Sequence, residues 1–374
     1  MKQFFLLGIL LILSTIDISS QVNAPCKELR EVVLQLPPGD NNPRNSEGDF
    51  VTLKDGRIMF IYTHYTGKNA GDHDPAYLAA RYSSDGGKTW TKEDQLIIEN
   101  EGGMNVMSVS LLRLNDGKIA IFYCRKNSVA DCIPLLRISE DEGKTWSEPV
   151  VCITDKKGYF VLNNNRVIQL KNGRLLLAVA RHQEPEGKWH EKGNLFIYRS
   201  DDMGQTWTSS PSIPDTTNII TQEPGLIELK DGKIMMFIRA GSGFQQLSYS
   251  NDQGETWSHI EPSNISSPLS PASIARIPST KDLFLVWNNN DGSNPVIKGK
   301  RTPLTVAISK DEGKTWQHVS DIETDPDGWY CYIAIHFAKK NVLLGYCAGS
   351  QSKGTHLSIT NISLLNIKKI YKIK

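Results

Sequence analysis

The chain has 374 residues, of which 39% are hydrophobic and 22% are charged, and its formal net charge is +1. This composition excludes a disordered chain, a collagen-like chain and a small disulfide-rich scaffold. With 42 basic residues against 41 acidic ones, the chain lacks the basic excess that binding to phosphate backbones requires. Nucleic acid is therefore excluded as a partner.

The first twenty residues are typical of a signal peptide. Lys2 provides the positive start, residues 4–14 form an apolar run, and small residues precede a cleavage point before Gln21. Such a run is too short to span a bilayer, and a retained membrane anchor is the alternative interpretation. No later segment is apolar for long enough to form a span. We therefore expect an exported chain, periplasmic or secreted, whose mature residues 21–374 form a single domain.

Five copies of the pattern Ser-x-Asp-x-Gly-x-Thr-Trp follow along the chain. They begin at Ser83, Ser139, Ser200, Ser250 and Ser309. In such an Asp box the Asp and Ser side chains bind backbone amides in a tight turn, Gly takes a left-handed conformation, and Trp fills the gap between sheets. We therefore interpret the boxes as structural turns and not as catalytic sites.

An Asp-Gly or Asn-Gly pair precedes four of the boxes, in the segments that begin at Leu53, Leu114, Leu170 and Leu229. A short apolar run follows each pair, which predicts a β-hairpin with a two-residue turn. A repeat of this length with several strands per unit predicts an all-β fold, a six-bladed β-propeller. The sixth unit has no box. We expect residues 28–36 to pair with the C-terminal strands and close the ring.

The repeat also predicts which side chains meet. Counting back nine positions from each hairpin turn gives one residue per unit, at the start of the first strand. These residues are Glu47, Ser108, Asn164, Glu223, Ser273 and Tyr332. All are polar or amphipathic, where a buried strand would carry Val, Ile or Leu. Because the positions are pseudo-equivalent, we expect them to surround one central funnel.

The loops after the second strands reach the same face and are rich in basic and polar side chains. A guanidinium group matches a carboxylate with two parallel hydrogen bonds, so several arginines at one mouth predict a carboxylate-bearing ligand. For any single arginine, a surface ion pair is the alternative. The side chains of this face are His64, Asp72, His73, Asp74, Arg125, Lys126, Arg181, His182, His190, Arg239, residues 288–290 and Arg301.

The five boxes and this register resemble the sialidase (neuraminidase) superfamily, whose members are glycosidases on six-bladed Asp-box propellers. The resemblance covers nearly all of the mature chain. It implies that Glu223 is the catalytic glutamate and that Tyr332 is the tyrosine nucleophile. Arg301 then corresponds to one member of the arginine triad that grips the sialic acid carboxylate. Asp72 or Asp74 corresponds to the acid/base aspartate.

The chain departs from the superfamily pattern at two members of the triad. The first-blade arginine falls at Glu47, with Arg44 three residues earlier as a substitute. The middle arginine falls near Gln245, and Arg239 or Arg181 is the candidate for its role. Further candidates for substrate contact are Arg125, Asn164, Arg166 and His64.

The resemblance implies retaining hydrolysis of terminal acidic sugars, sialic acid or a related sugar, on glycans. Glu223 would act as a base on Tyr332, while the aspartate protonates the leaving oxygen and then activates water. Two alternatives stay open. One is another glycan-active propeller enzyme, a hydrolase or lyase of uronic-acid glycans in which His64, His73 and residues 163–166 take part. The other is a glycan-binding propeller without catalysis.

Neither a metal nor another cofactor is predicted. The histidines are scattered, and the six cysteines include no Cys-x-x-Cys pair, so the sequence predicts no zinc site. In an exported chain the cysteines can form disulfides. Cys124 with Cys132 and Cys331 with Cys347 are then the candidate pairs, and the sequence alone does not choose among the pairings.

Overall fold

Twenty-five β-strands and one short helix form the regular structure of residues 29–373, the part of the chain that the computed structural model describes. The predicted all-β class is confirmed. The predicted signal peptide, residues 1–20, and Cys26 lie outside the described residues. Residues 29–373 contain no helix with the length and hydrophobicity that crossing a bilayer requires.

The strands follow one another in short hairpins. The first twelve are β1 (Arg30–Leu36), β2 (Asn45–Thr52), β3 (Ile58–Tyr65), β4 (Ala76–Ser83), β5 (Gln95–Ile98), β6 (Asn105–Arg113), β7 (Ile119–Ser128), β8 (Asp131–Ser139), β9 (Val150–Val151), β10 (Tyr159–Val161), β11 (Ile168–Gln169) and β12 (Leu175–Gln183). The next seven are β13 (Asn194–Ser200), β14 (Thr208–Ser209), β15 (Thr221–Glu228), β16 (Ile234–Ala240), β17 (Phe244–Ser250), β18 (Glu261–Ser266) and β19 (Ser273–Arg276). The last elements are β20 (Leu283–Trp287), β21 (Leu304–Ser309), β22 (Gln317–Glu323), β23 (Gly328–Ala338), β24 (Asn341–Ser350), β25 (Thr360–Asn366) and the helix α1 (Ile367–Ile370).

These strands pair into five sheets. Three of them are antiparallel four-stranded meanders, made of β2 to β5, β15 to β18 and β19 to β22. A nine-stranded sheet contains β6 to β14, and its two halves meet where β10 pairs in parallel with β8 and antiparallel with β12. The fifth sheet has the order β1-β25-β24-β23, so the N-terminal strand lies beside the C-terminal strands.

Neighbouring sheets pack through buried apolar side chains. One cluster joins the first meander to the following strands, through residues such as Met59 and Ile121. Another joins the first meander to the last sheet, where Phe60 lies in one cluster with Leu343 and Ile362. The chain therefore brings its first and last sheets together around a shared core, and burial of apolar surface stabilises this contact.

The hairpin turns differ in detail from the sequence prediction. In the first meander the amide of Gly56 donates to the carbonyl of Leu53 at 2.9 Å, and the amide of Leu53 donates to the carbonyl of Arg57 at 2.8 Å. Gly56 is left-handed, with φ of +87°, and Asp55 is not among the left-handed residues. The predicted two-residue turn is therefore wrong. The loop has three residues and places only Gly in the left-handed region.

The Asp boxes form the turns that their residue pattern predicts. In the first box the Ser83 hydroxyl accepts the amide of Gly87 at 2.9 Å, and Asp85 accepts the amide of Thr89 at 2.9 Å. The Trp90 indole donates to the carbonyl of Gly87 at 3.1 Å. The corresponding Ser-to-Gly bond recurs in all five boxes, between 2.7 and 2.9 Å. These side chains therefore make their hydrogen bonds within their own turns.

A left-handed β-bulge interrupts the inner strand of several sheets. The pairing register shifts between Ser46 and Asp49, and equivalent shifts occur in β6, β15 and β23. A bulge inserts one residue and redirects its side chain. The residues at these bulges have positive φ, namely Glu47 (56°), Ser108 (63°), Glu223 (40°) and Tyr332 (55°). They are four of the six positions that the repeat register selects.

The other two register positions differ from this arrangement. In β19, Ser273 pairs regularly with Val286, and in the third unit the left-handed residue is Asn165, with φ of 56°, one position after Asn164. The side chain of Asn164 instead donates to the carbonyls of Gly48 at 2.8 Å and Tyr332 at 3.1 Å. It thus ties two of the bulges together.

Candidate functional site

A cavity of about 320 Å³ opens where the inner strands of the sheets begin. The bulges deliver their side chains to its wall, because Ser108 and the other three left-handed residues all line it. Among the residues that the sequence predicts for catalysis or binding, those that line the cavity are Glu47, Asp72, Glu223, Arg239, Arg301 and Tyr332.

The Tyr332 hydroxyl and the Glu223 carboxylate meet on one side of this cavity. The hydroxyl donates to Glu223 Oε1 at 3.2 Å, and Arg239 Nη1 lies 2.8 Å from the same oxygen. Glu223 Oε2 is buried without a hydrogen-bond partner among the described residues. Both residues stand on bulges of different sheets, so the pair depends on how the sheets are arranged around the cavity.

The charges around this pair favour an ionised glutamate beside a neutral phenol. Burial opposes the ionisation of Glu223, but the guanidinium groups of Arg239 and Arg301 outweigh it and lower the pKa of Glu223. Burial and the neighbouring Glu223 carboxylate raise the pKa of Tyr332 above its usual value. In the resting site Glu223 is therefore ionised and accepts the hydrogen bond, and Tyr332 keeps its proton.

Two arginines present unused donors beside the pair. The Arg301 guanidinium carbon lies 5.4 Å from the centre of the Tyr332 ring and 5.1 Å from that of Trp329. Arg301 Nη1 and Arg239 Nε are buried without a hydrogen-bond partner among the described residues. Both arginines also line the cavity, so their positive charge makes this side of it suit an anionic group such as a carboxylate.

A third guanidinium, that of Arg166, lies behind the cavity wall. It is buried, its Nη2 donates to the carbonyl of Ala272 at 2.7 Å, and its guanidinium carbon lies 5.2 Å from the Phe237 ring centre. Burial lowers the pKa of Arg166 to about 10. A Cβ at Gly225 would lie 2.6 Å from Arg166 Nη1, so only glycine leaves room for this arginine beside the strand of Glu223.

On the opposite side, Arg44 lies between two carboxylates. Its Nη2 is 2.6 Å from Glu47 Oε1, and its Nη1 is 2.5 Å from Asp72 Oδ1. Ser108 Oγ donates a short hydrogen bond to Glu47 Oε2. The Arg44 side chain is 1% exposed and does not line the cavity. Because both terminal nitrogens of its guanidinium already contact carboxylates, Arg44 has no pair of free N–H groups for a ligand carboxylate.

An aromatic wall completes the cavity, and the sequence analysis did not select its central members. Trp189 lies parallel to His182, with ring centres 4.6 Å apart, and edge-on to Tyr159 at 5.3 Å. Lys126 Nζ lies 5.3 Å from the centre of the Tyr159 ring. Trp189 is 45% exposed. One signal in the sequence could have found it, since Trp189 stands outside the Asp boxes, in the loop between β12 and β13.

Several predicted site residues lie outside the cavity wall. Asp74 accepts the amide of Gly71 at 2.7 Å, Arg181 pairs with Glu184 at 2.6 Å, and His64 Nδ1 lies 3.1 Å from Asp94. Gln245 donates to Ser267 Oγ at 2.9 Å and to the carbonyl of Ser270 at 2.8 Å. The remaining predicted residues absent from the wall are Arg44, Arg125, Asn164 and Arg166.

The cysteines of the described chain are free and buried thiols. Cys331 and Cys347 are direct cross-strand partners, and Cys124 and Cys132 lie on the paired strands β7 and β8. The two candidate pairs are thus neighbours without being bonded. Within residues 29–373, no group of three or more His, Cys, Asp or Glu side chains gathers in the way a metal ion requires.

Comparison with known proteins agrees with the repeat pattern. The model of the BNR repeat-like domain family matches residues 93–346, and that of the BNR/Asp-box repeat matches residues 81–92. The chain belongs to the BNR repeat-like domain family. This BNR chain is 23% identical over 362 residues to a sialidase of Bacteroides fragilis, covering 88% of this chain and 64% of that protein. It is 26% identical over 238 residues to a sialidase of Paraclostridium sordellii, covering 56% of each.

A solved structure shares the fold of the BNR chain. The NanB sialidase of Streptococcus pneumoniae superposes with a TM-score of 0.69 at 16% identity, over 90% of this chain and 70% of that one. The resemblance to the sialidase superfamily with BNR repeats is therefore confirmed. The chain spans 64% and 56% of the lengths of the two relatives named above.

Proposed function

We propose that this chain is a sialidase-type exo-glycosidase that removes terminal acidic sugars from glycans. The observation that supports this most directly is the hydrogen bond of 3.2 Å between the Tyr332 hydroxyl and Glu223. It lies in a cavity beside two arginines, Arg239 and Arg301, that have unused donors. A tyrosine nucleophile with a glutamate base is the known exception to the two-carboxylate scheme of retaining glycosidases.

The chemistry starts at Tyr332. A phenol with the ordinary pKa of about 10 is a weak nucleophile at neutral pH, so Glu223 takes its proton as the phenolic oxygen attacks the anomeric carbon. Arg301 lies against the Tyr332 ring and stabilises the negative charge that develops on the oxygen. The phenol is neutral before attack, so a carboxylate on the anomeric carbon does not repel it.

The carboxylate of the sugar binds Arg239 and Arg301 in this proposal. Arg239 takes the role of the middle triad arginine, since it faces the cavity while Arg181 is paired with Glu184 outside the cavity wall. The proton for the leaving oxygen comes from one of the two carboxylates that share Arg44, Glu47 or Asp72. Asp72 is the member that the superfamily resemblance selects, and Asp74 does not line the cavity.

The architecture that we propose for this activity is a closed ring of six blades. The nine-stranded sheet then counts as two blades joined by β10, which gives six with the four smaller sheets. Pairing of β1 with β25 and packing of Phe60 in one cluster with Leu343 support closure between the first and last blades. We propose further that the chain is exported after removal of residues 1–20.

A uronic-acid glycosidase is the second candidate. The observation that favours it is Glu47, which occupies the register position of the superfamily's first triad arginine and lines the cavity. Because Arg44 is occupied by Glu47 and Asp72, only two arginines remain for a carboxylate. A substrate that carries its carboxylate at a different ring position from sialic acid would suit a site with only these two arginines.

The test is a screen of the purified chain against sialosides and uronic-acid glycans, with the products resolved by mass. We expect hydrolysis with retention of configuration and its loss in Tyr332→Phe. Tyr82→Phe, on the third strand β4 and outside the cavity wall, is the matched control and should keep full activity. Turnover that survives in Tyr332→Phe would overturn the nucleophile assignment. Saccharide binding without turnover would favour the glycan-binding module, and an unsaturated product would favour a lyase.

A further inference from the structure

Glu47 is a buried acid that the fold directs into the cavity. It stands on the bulge of β2 with φ of 56°, a conformation that a non-glycine residue rarely adopts. Its residue is 5% exposed, and it lines the cavity. Strained positions of this kind persist where the surrounding structure fixes them, and they concentrate at functional sites.

Two carboxylates compete for one guanidinium at this position. Arg44 contacts Glu47 Oε1 through Nη2 and Asp72 Oδ1 through Nη1. With both acids ionised, the three groups carry one net negative charge in a largely buried place. Two carboxylates that share a site do not ionise equally, and the one in the drier environment keeps its proton more readily.

The surroundings of the two acids differ, and Glu47 is in the less exposed one. The Asp72 side chain is 57% exposed, and although desolvation opposes it, the Arg44 guanidinium lowers the pKa of Asp72. Burial raises the pKa of Glu47 despite the opposing charge of Arg44. The other charged or titratable groups that act on Glu47 are Lys126, Tyr65, Tyr332, Cys124 and Cys347. When the surroundings of two neighbouring acids shift their pKa values in opposite directions, the acid with the higher pKa holds the proton.

We infer that Glu47, and not Asp72, is the proton donor to the leaving group, an inference that rests on the proposed glycosidase function. The proton of Glu47 passes to the glycosidic oxygen as its bond to the anomeric carbon breaks, and the aglycone leaves as a neutral alcohol. Tyr332 forms the new bond to that carbon and gives its proton to Glu223. Water then attacks the same carbon and gives a proton to the Glu47 carboxylate, while Tyr332 leaves and regains its proton from Glu223.

Asp72 has a positioning role in this scheme. As the ionised partner of Arg44, Asp72 holds the guanidinium through Nη1. The guanidinium in turn holds the Glu47 side chain in place through Nη2. The hydroxyl of Ser108 binds the second oxygen of Glu47. Glu47 is therefore fixed from two sides, as a general acid must be to reach one oxygen of a bound glycoside.

The first experiment does not depend on activity. Infrared spectra of the wild-type protein near neutral pH should contain the band of a protonated carboxyl group in addition to that of Asp49, whose pKa burial raises to about 7. Glu47→Gln should remove this band and Ser108→Ala should shift it. Asp72→Asn should keep the band but lower the pH at which it disappears, because burial and the Asp72 charge both raise the pKa of Glu47 and this variant removes only the second cause. Glu142→Gln removes another glutamate that pairs with an arginine, 2.6 Å from Arg113 and outside the cavity wall, and it serves as the control. Absence of the band in the wild type, or its loss in Asp72→Asn alone, would overturn the inference.

The second experiment measures kcat/KM against leaving-group ability. Removal of a general acid typically costs 10²- to 10⁴-fold, and we expect about this loss for Glu47→Gln with sugar or alkyl leaving groups. Activated aryl glycosides need no proton and should lose less than about 10-fold. Thermal unfolding checks that each variant is folded. If Asp72→Asn shows this dependence and Glu47→Gln does not, Asp72 is the donor. A wild-type protein that binds glycans without hydrolysing them would refute the proposed function, while the infrared result would still decide where the proton resides.

Discussion

Replacing Glu223 with glutamine should destabilise the fold as well as abolish catalysis. Among the described residues, Glu223 is the only acid that forms an ion pair with the Arg239 guanidinium, at 2.8 Å, and the charges of Arg301 and Arg166 also act on it. Glutamine keeps the shape of the side chain and can still accept one hydrogen bond from Arg239. It removes the one negative charge that these buried cations share.

The size of the effect follows from the burial of both partners. The side chains of Arg239 and Glu223 are 11% and 9% exposed, and breaking a buried ion pair by removing one partner typically costs about 3–5 kcal/mol of unfolding free energy. The retained hydrogen bond favours the lower end, about 3 kcal/mol. The matched control is Glu228→Gln, farther along the same strand. The Glu228 carboxylate pairs loosely with the exposed ammonium of Lys171 at 3.3 Å and accepts the backbone amide of Lys171 at 3.0 Å, a hydrogen bond that glutamine can also accept. This variant should cost about 1 kcal/mol or less.

The pH dependence gives a second, independent signature. The pKa of Glu223 is lowered from its ordinary value of 4.5, so its ionised form stabilises the folded state above about pH 4.5. This stabilisation is lost as the pH falls through the lower pKa of the folded protein. The stability gap between wild type and Glu223→Gln should therefore be constant above about pH 5 and narrow in acid.

Urea unfolding at a series of pH values measures this gap, with the same slope required for both proteins. A gap below about 1 kcal/mol at pH 7 would show that the arginines do not depend on Glu223. A gap that stays constant down to pH 3 would show that its carboxylate is not the group responsible.

Three further outcomes are expected. Arg239→Met should raise KM for carboxylate-bearing sugars by about 10- to 150-fold, the worth of a hydrogen bond to a charged group, while Arg181→Met should leave steady-state kinetics unchanged. Trp189→Ala should weaken glycan binding in calorimetry, yet change the melting temperature little because the indole is 45% exposed; equal affinity would exclude stacking on this wall. Burial lowers the pKa of His336 to about 4 from 6.5, so the unfolded chain takes up its proton first and the wild type loses stability as pH falls from about 6.5 to 4. In His336→Gln the melting temperature should fall less over that range, and parallel curves would contradict this.

The all-β class and the meeting of Glu223 with Tyr332 could be predicted because both depend on local, repeated signals. The Asp boxes close on their own side chains, so their pattern identifies the turns without knowledge of the rest. The register then finds Glu223 and Tyr332, since the bulges recur at equivalent positions of the inner strands. The turn type was missed because a Gly preceded by Asp fits both a two-residue and a three-residue loop.

The partners of the arginines could not be predicted in the same way. Arg181 and Arg239 hold similar places in the sequence, and only packing decides that one pairs with Glu184 while the other reaches Glu223. Arg44 is three residues from Glu47, yet its contact with Asp72 joins the residue before β2 to the loop between β3 and β4. The aromatic wall depends on the packing of Trp189, in the loop between β12 and β13, against Tyr159 and His182, and the repeat pattern does not specify this packing.

The left-handed bulges place the side chains that face the cavity outside the strand pairing that holds each sheet together. Each bulge residue is the extra one in its strand, outside the regular ladder of backbone bonds. A new side chain at such a point alters the chemistry offered to a ligand while the flanking pairs keep their partners. Under the repeat register, Glu47 stands where the superfamily resemblance implies an arginine. A fold built this way could change the ligand it binds through single replacements at its bulges, without a change in strand pairing.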